Sequence, residues 1–195
     1  GDVVGFGSRV LDKSEPKYMN TPETLTYSKR RVLYGLNLAK KTKRPNIILC
    51  EGNLDVVTLH QAGFDNAVAS MGTALTVEQT RLLSRYTKEL VLCYDNDNAG
   101  KIATERALQI LNGSEFSVKV LQLPRRLVDG EYIKQDADDF IKLQGPDAFE
   151  RLLNGSENGV EFRMAQIAGK YDLKDDEARI AYCGEVSELL ASLPG

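Results

Sequence analysis

An α/β fold built on a mostly parallel sheet flanked by helices is what this chain predicts, and three observations predict it. Ile47-Ile48-Leu49-Cys50 and Leu90-Val91-Leu92-Cys93-Tyr94 are continuous aliphatic runs, the pattern of strands buried on both faces. Strand-like and helix-like segments alternate about four times, which is the signature of βαβ units. Each of the two runs ends in carboxylates, Glu51-Gly52 and Asp95-Asn96-Asp97, and ligands in open α/β sheets gather at the carboxyl ends of the strands.

Taken in order, GFGSR and LDKSEPKYMNTPET are rich in turn-forming residues and predict turns with short strands. Val32, Leu33, Leu36 and Leu38 fall near helical spacing, with Pro45 ending that segment. The strand 47–50 is followed by a helical NLDVVTLHQAGF that stops at Gly63, then by a short strand, NAVAS. Thr76 and Gln79 form a capping box at the start of a helix through Arg85. After the second acid-bearing strand, a helix from Ala99 to Leu111 closes at Gly113, and Ser117 to Leu123 is a further strand ended by Pro124. From Asp136 the pattern is wholly helical: Pro146 and Gly155 bracket one short helix, and Glu157–Tyr171 and Lys174–Leu193 read as two more.

At 195 residues the chain is long enough for a substantial core, and 42% hydrophobic with 27% charged residues is an ordinary globular composition. No run approaches the roughly 20 apolar residues of a membrane span, and the N-terminus lacks the order of a signal peptide, so the expectation is a cytoplasmic protein with no membrane partner. Three cysteines imply no disulfide framework; Cys50 and Cys93 lie at strand ends as small buried thiols. One histidine, His60, and no CxxC pair argue against zinc.

The net charge of −3 conceals an asymmetry. Residues 1–44 carry ten Lys/Arg against four Asp/Glu, whereas the remainder carries 15 against 24. A basic leading segment joined to an acidic centre suits a polyanion held beside bound metal. Three acids delivered by neighbouring strand ends cannot all stay ionised without a cation, and oxygen-only donors favour Mg²⁺ or Mn²⁺.

Glu51-Gly52-Asn53-Leu54-Asp55, Asp95-Asn96-Asp97-Asn98-Ala99-Gly100 and Asp136-Ala137-Asp138-Asp139 resemble the three motifs of a TOPRIM domain. That domain is shared by primases, topoisomerases, some nucleases and recombination proteins. The flanking GFGSRVLDKSEPKYMNTPET, SKRRVLYGL, AVASMGTALT and CYDNDNAGKIATERAL are similar to the catalytic core of bacterial DnaG-type DNA primases, over about residues 5 to 143. The fold so implied is TOPRIM-type, with a partial basic N-terminal subdomain over 1–44, a metal-binding domain over 45–143 and a helical subdomain over 144–195.

The resemblance implies that Glu51, Asp95 and Asp97 are catalytic and that Glu51, Asp95, Asp97, Asp136 and Asp138 hold metal. Glu51 either completes the metal shell or acts as base, and both roles stay open. Asp55 supports the site, or only complements a helix dipole. Arg9, Lys17, Tyr18, Asn20 and Lys29 match residues that touch template or incoming nucleotide: the cations suit phosphates and the tyrosine suits base stacking. Three departures stand out. Ala137 replaces the family's usual proline, Asn96 its usual glycine, asparagine being tolerant of positive φ, and Asn53 its common aromatic after Glu-Gly.

The activity implied is synthesis of short RNA primers on single-stranded DNA from ribonucleoside triphosphates during replication, by a bacterial protein at the nucleoid. Guanosine tetraphosphate is implied as an inhibitor at the nucleotide site. A full protein of this type is expected to carry an N-terminal zinc-binding domain and a C-terminal domain for the replicative helicase, neither within these residues. The start at Gly1-Asp2 leads to the expectation that part of the leading subdomain is missing. The competing readings are a nucleotide- or nucleic-acid-binding TOPRIM module without turnover, and a metal-dependent TOPRIM nuclease or topoisomerase fragment.

Overall fold

The computed structural model describes residues 2–10 and 18–193. At its centre is a six-stranded sheet in the order β10 (Glu157–Asn158), β7 (Ser117–Val120), β6 (Glu89–Cys93), β4 (Asn46–Cys50), β5 (Ala67–Ser70), β3 (Leu33–Tyr34). The four inner strands are mutually parallel and the two outer ones antiparallel to their neighbours. Alternation along the central strands divides the core into two layers, because successive side chains point to opposite faces. Ile47, Leu49, Leu90, Leu92 and Tyr94 face one side, packed by α1 (Leu36–Ala39), α3 (Val77–Leu83), α4 (Asn98–Leu111) and α7 (Gly159–Ala168) through residues such as Leu83, Leu108 and Phe162. Ile48, Cys50, Val91 and Cys93 face the other, against α2 (Asn53–Gln61), α5 (Ala137–Gln144) and α6 (Pro146–Asn154) through Val56, Leu59, Phe140 and Phe149.

Two small hairpins lie outside this sheet: β1 (Gly7–Arg9) with β2 (Tyr18–Asn20), and β8 (Arg126–Val128) with β9 (Glu131–Ile133). The final helix, α8 (Asp176–Ala191), has no buried residue. No helix among the described residues is long and apolar enough to cross a membrane.

Several local expectations change. Val32 to Leu38 do not form one helix: Leu33 pairs with Ser70 and Tyr34 with Ala69 as an edge strand, and helix follows for a single turn. Gly35, at φ 80°, makes the break, and a side chain there would meet the Ala67 carbonyl at 2.9 Å. Sheet pairing thus overrides helical spacing. The C-terminal third is not wholly helical, because Glu157 pairs with Val120 and Asn158 with Lys119. Phe149 and Leu153 of this third are buried in the same layer as Ile48 and Val91. The Thr76–Gln79 capping box and the Pro146 and Gly155 helix limits occur as read.

Candidate metal and nucleotide site

The parallel register puts Cys50 directly beside Cys93, so the chain leaves β4 and β6 side by side and delivers Glu51 and Asp95 to one place. Asp95 N–H donates to Glu51 Oε2 at 3.3 Å. Asp97 caps α4, its Oδ1 accepting from Gly100 N–H at 2.8 Å, which holds its carboxyl below the usual range with help from Lys134. Gly100 is required here by space: a Cβ would lie 1.9 Å from the Asp95 carbonyl oxygen. The turn between the aspartates is fastened from the other side as well. Asn96 Nδ2 donates to the Leu123 carbonyl at 3.0 Å, and Arg125 donates to the Asn96 carbonyl. The tolerance of Asn96 for positive φ is therefore not what this position uses; Asp129 is the one non-glycine residue with positive φ among those described.

The third acidic segment begins α5. Asp136 caps it, Oδ1 accepting from Asp139 N–H at 2.8 Å, and Ala137 is its first helical residue. That position tolerates proline and alanine alike, so the departure from the family pattern leaves the backbone intact. Asp138 is held by the Thr58 hydroxyl and by Lys142 Nζ, the latter at 2.6 Å. Burial works against ionisation of Asp138, but these two donors outweigh it and lower its pKa. Carboxylate oxygens of Asp136, Asp138 and Asp139 lie within 4.8 Å of one another, a trio in which Asp139 is an addition to the acids expected from sequence.

Asp55 joins the two halves. Its Oδ2 accepts from Gly52 N–H at 3.1 Å and its Oδ1 from Asp138 N–H at 3.3 Å. Burial first, then the charge of Asp136, push its carboxyl up to about 7. Glu51 is raised as well, by burial and then by Asp95. Glu51, Asp55, Asp95 and Asp136 line one cleft of about 490 Å³, together with Tyr18 and the Gly72-Thr73-Ala74 loop.

Sequence reasoning missed Lys134, which lines the same cleft. Its ammonium lies 3.0 Å from Asp95 Oδ2 and 2.9 Å from Asp97 Oδ2, and the two carboxylates, Asp97 first, raise its pKa. The signal was available: Asp129-Gly130 between two short apolar-containing runs is a hairpin turn that returns the chain to the site.

Of the leading residues, Tyr18 lines the cleft, with the Arg9 guanidinium 5.7 Å from its ring centroid. Burial raises the Tyr18 pKa, opposed by Arg9. Asn20 lies beside the Gly72 loop, and its side-chain oxygen is buried without a hydrogen-bond partner among the described residues. Lys29 lies away from the cleft lining; its N–H donates to Glu23 and its carbonyl accepts from Gln79. Lys17 falls outside the described residues. His60 bonds the Ala67 carbonyl at 2.9 Å and packs rather than ligates, while Arg44 is committed to Glu150 and to the Phe64 ring.

This fold, with acids at the carboxyl ends of two central parallel strands and at a following helix start, defines a TOPRIM-type centre. Residues 48–141 match the family model described as Toprim-like, and residues 1–40 match the N-terminal domain of the DNA primase catalytic core. The chain is 42% identical over 194 residues to a DNA primase of Clostridium acetobutylicum, covering 99% of this chain and 31% of that protein. It is 38% identical over 202 residues to a DNA primase of Haemophilus influenzae, covering 100% and 32%. Among solved structures, the E. coli primase catalytic core superposes with a TM-score of 0.80 at 34% identity, over 100% of this chain and 61% of that one. A DnaG primase catalytic domain bound to single-stranded DNA gives 0.80 and 34%, over 100% and 62%.

The chain belongs to the bacterial DnaG-type primase family and carries the TOPRIM part of its catalytic core. It spans about a third of the length of the curated relatives it matches. A TOPRIM domain implies divalent-metal binding. The residues present fit such an ion: Asp136, Asp138 and Asp139 gather carboxylate oxygens, and the Lys134 ammonium bridges the carboxylates of Asp95 and Asp97 as a cation.

Proposed function

We propose that this chain forms the nucleotidyl-transfer centre of a primase, joining ribonucleotides into short RNA primers on a single-stranded DNA template. The observation that carries the reading is the acid-lined cleft at the ends of β4 and β6, with one cation bridging Asp95 and Asp97.

Mg²⁺ or Mn²⁺ held there would neutralise triphosphate charge and make the primer 3′-hydroxyl a better nucleophile. Asp95 and Asp97 would hold it, with Asp136 and Asp138 completing the set. Glu51, whose pKa is raised, is suited either to join them or to take up the hydroxyl proton. Arg9 and Tyr18, together with Lys17, Asn20 and Lys29, would orient template and nucleotide: the guanidinium against phosphate, the ring against a base. Residues 1–44 would serve as the nucleic-acid segment, 45–143 as the metal domain and 144–195 as a support. The helicase would be reached through segments of the longer relatives, and guanosine tetraphosphate would compete for the nucleotide position. Related primase domains have been solved bound to single-stranded DNA and to a double-stranded DNA oligomer with an overhang, which supports a DNA template.

The test is template-directed oligoribonucleotide synthesis with Mn²⁺, comparing the chain with Asp95→Ala. The expected result is product lost in the variant while anisotropy of a labelled single-stranded DNA is unchanged. Equal synthesis by both would overturn the assignment. Metal-dependent nucleotide binding without product in either would favour the binding-module reading.

A further inference from the structure

Lys134 stands at the end of the β8–β9 hairpin, and its neighbour Gln135 is buried, so its backbone is fixed beside the cleft while its flexible stem remains free to move. Its side chain is 55% exposed, and among the described residues its acidic partners are Asp95 Oδ2 and Asp97 Oδ2. Those are the carboxylates from which the metal reading draws its ligands, and the inference rests on that reading. An ammonium and a divalent ion cannot occupy one position between the same two oxygens. The divalent ion has the stronger attraction at equal distance.

We infer that Lys134 is an exchangeable counter-ion: its ammonium holds Asp95 and Asp97 until a divalent cation displaces it, and the displaced ammonium then engages the phosphates of the incoming nucleotide. The exchange leaves a flexible cation without its acids at the rim of the cleft. A metal-bound triphosphate is the anion that would arrive there, and an ammonium on a four-carbon stem suits phosphate as a mobile point charge. Lys134 would thereby keep the acidic turn ordered before loading and contribute to nucleotide affinity after it.

The experiment titrates Mn²⁺, read by the paramagnetic resonance signal of the free ion, into this chain and into Lys134→Met, Lys134→Arg and Asp97→Asn. Lys134→Met should bind Mn²⁺ about three- to tenfold tighter, the range set by one or two half-exposed ion pairs. Lys134→Arg should stay within about twofold of the parent, because it keeps the competing charge. At saturating Mn²⁺, a non-hydrolysable ribonucleoside triphosphate should bind Lys134→Met about three- to tenfold more weakly. Unchanged or weaker Mn²⁺ binding by Lys134→Met, or unchanged triphosphate affinity, overturns the inference. Asp97→Asn separates the two levels. If it binds Mn²⁺ as the parent does, the metal reading itself fails; if it binds weakly while Lys134→Met equals the parent, only the counter-ion inference fails.

Discussion

Glu51 and Asp95 at the ends of β4 and β6 and Asp136 at the start of α5 reach the same cleft by different routes. Glu51 and Asp95 are placed by backbone pairing in the middle of a parallel sheet, where Cys50 and Cys93 are in register and fully covered. Asp97 is then fixed by the first turn of α4. Asp136, Asp138 and Asp139 depend instead on a short helix whose orientation comes from side-chain contacts: Phe140 against Phe149 below, and Thr58 and Asp55 of α2 beside it. One half is backbone geometry, with little room for variation. The other is held by replaceable side chains.

The contrast is broken most forcefully at Gly100. Gly100→Ala sets a methyl against the Asp95 carbonyl at a separation no contact permits, so the turn carrying Asp95 and Asp97 must move. A loss of about 4 kcal/mol or more in urea denaturation is expected, with Mn²⁺ affinity falling alongside. A loss under about 1 kcal/mol would show that the strand-end half is as adaptable as the helix-start half.

Asp55 sharpens the comparison through pH. Its folded-state pKa of about 7 is above the ordinary 3.8, so between those values the folded state binds more protons than the unfolded one. Without divalent metal, the parent should lose about 4 kcal/mol of stability as pH rises from 4 to 8, apart from what other groups contribute. Asp55→Asn removes that slope while retaining an acceptor for one of the two backbone N–H groups. Denaturation curves in EDTA that run parallel with pH for parent and variant would mean that Asp55 carries no such strain.

How much of this was legible follows the same division. The strand ends were readable because burial on both faces writes itself as unbroken apolar runs, and the Asp-x-Asp that follows needs only β6 to be a strand. The Thr76 and Pro146 helix starts were readable because capping is local chemistry. Leu33 and Tyr34 were not, because what makes them a strand is an edge of β5 more than thirty residues away in sequence. Asp139 and the Thr58 contact were hidden for a related reason: α2 and α5 meet across 80 residues of sequence, through the tertiary fold alone. Lys134 was missed through a turn signal that was present but unread, Asp129-Gly130, and with it the cation that bridges Asp95 and Asp97.

Thr58 and Lys142 both bond Asp138, and they should separate by burial. Thr58 is largely buried in α2, and Thr58→Val keeps its shape while removing the donor, leaving the half-covered Asp138 carboxylate one partner short. The expected cost is about 1–2 kcal/mol at pH 7. Because the Asp138 pKa is lowered in the folded state, the stabilisation from its partners is present above the unfolded value and lost as pH falls through the folded one. The Thr58→Val deficit should therefore shrink toward pH 3. Lys142, on the exposed side of α5, makes an i,i+4 pair open to water, and Lys142→Ala should leave the melting temperature within experimental error, any difference vanishing in high salt. If Lys142→Ala instead cost as much as Thr58→Val, the helix-start acids would be held by long-range charge rather than by a buried hydroxyl, and salt alone would then loosen that half of the site while leaving the sheet half intact.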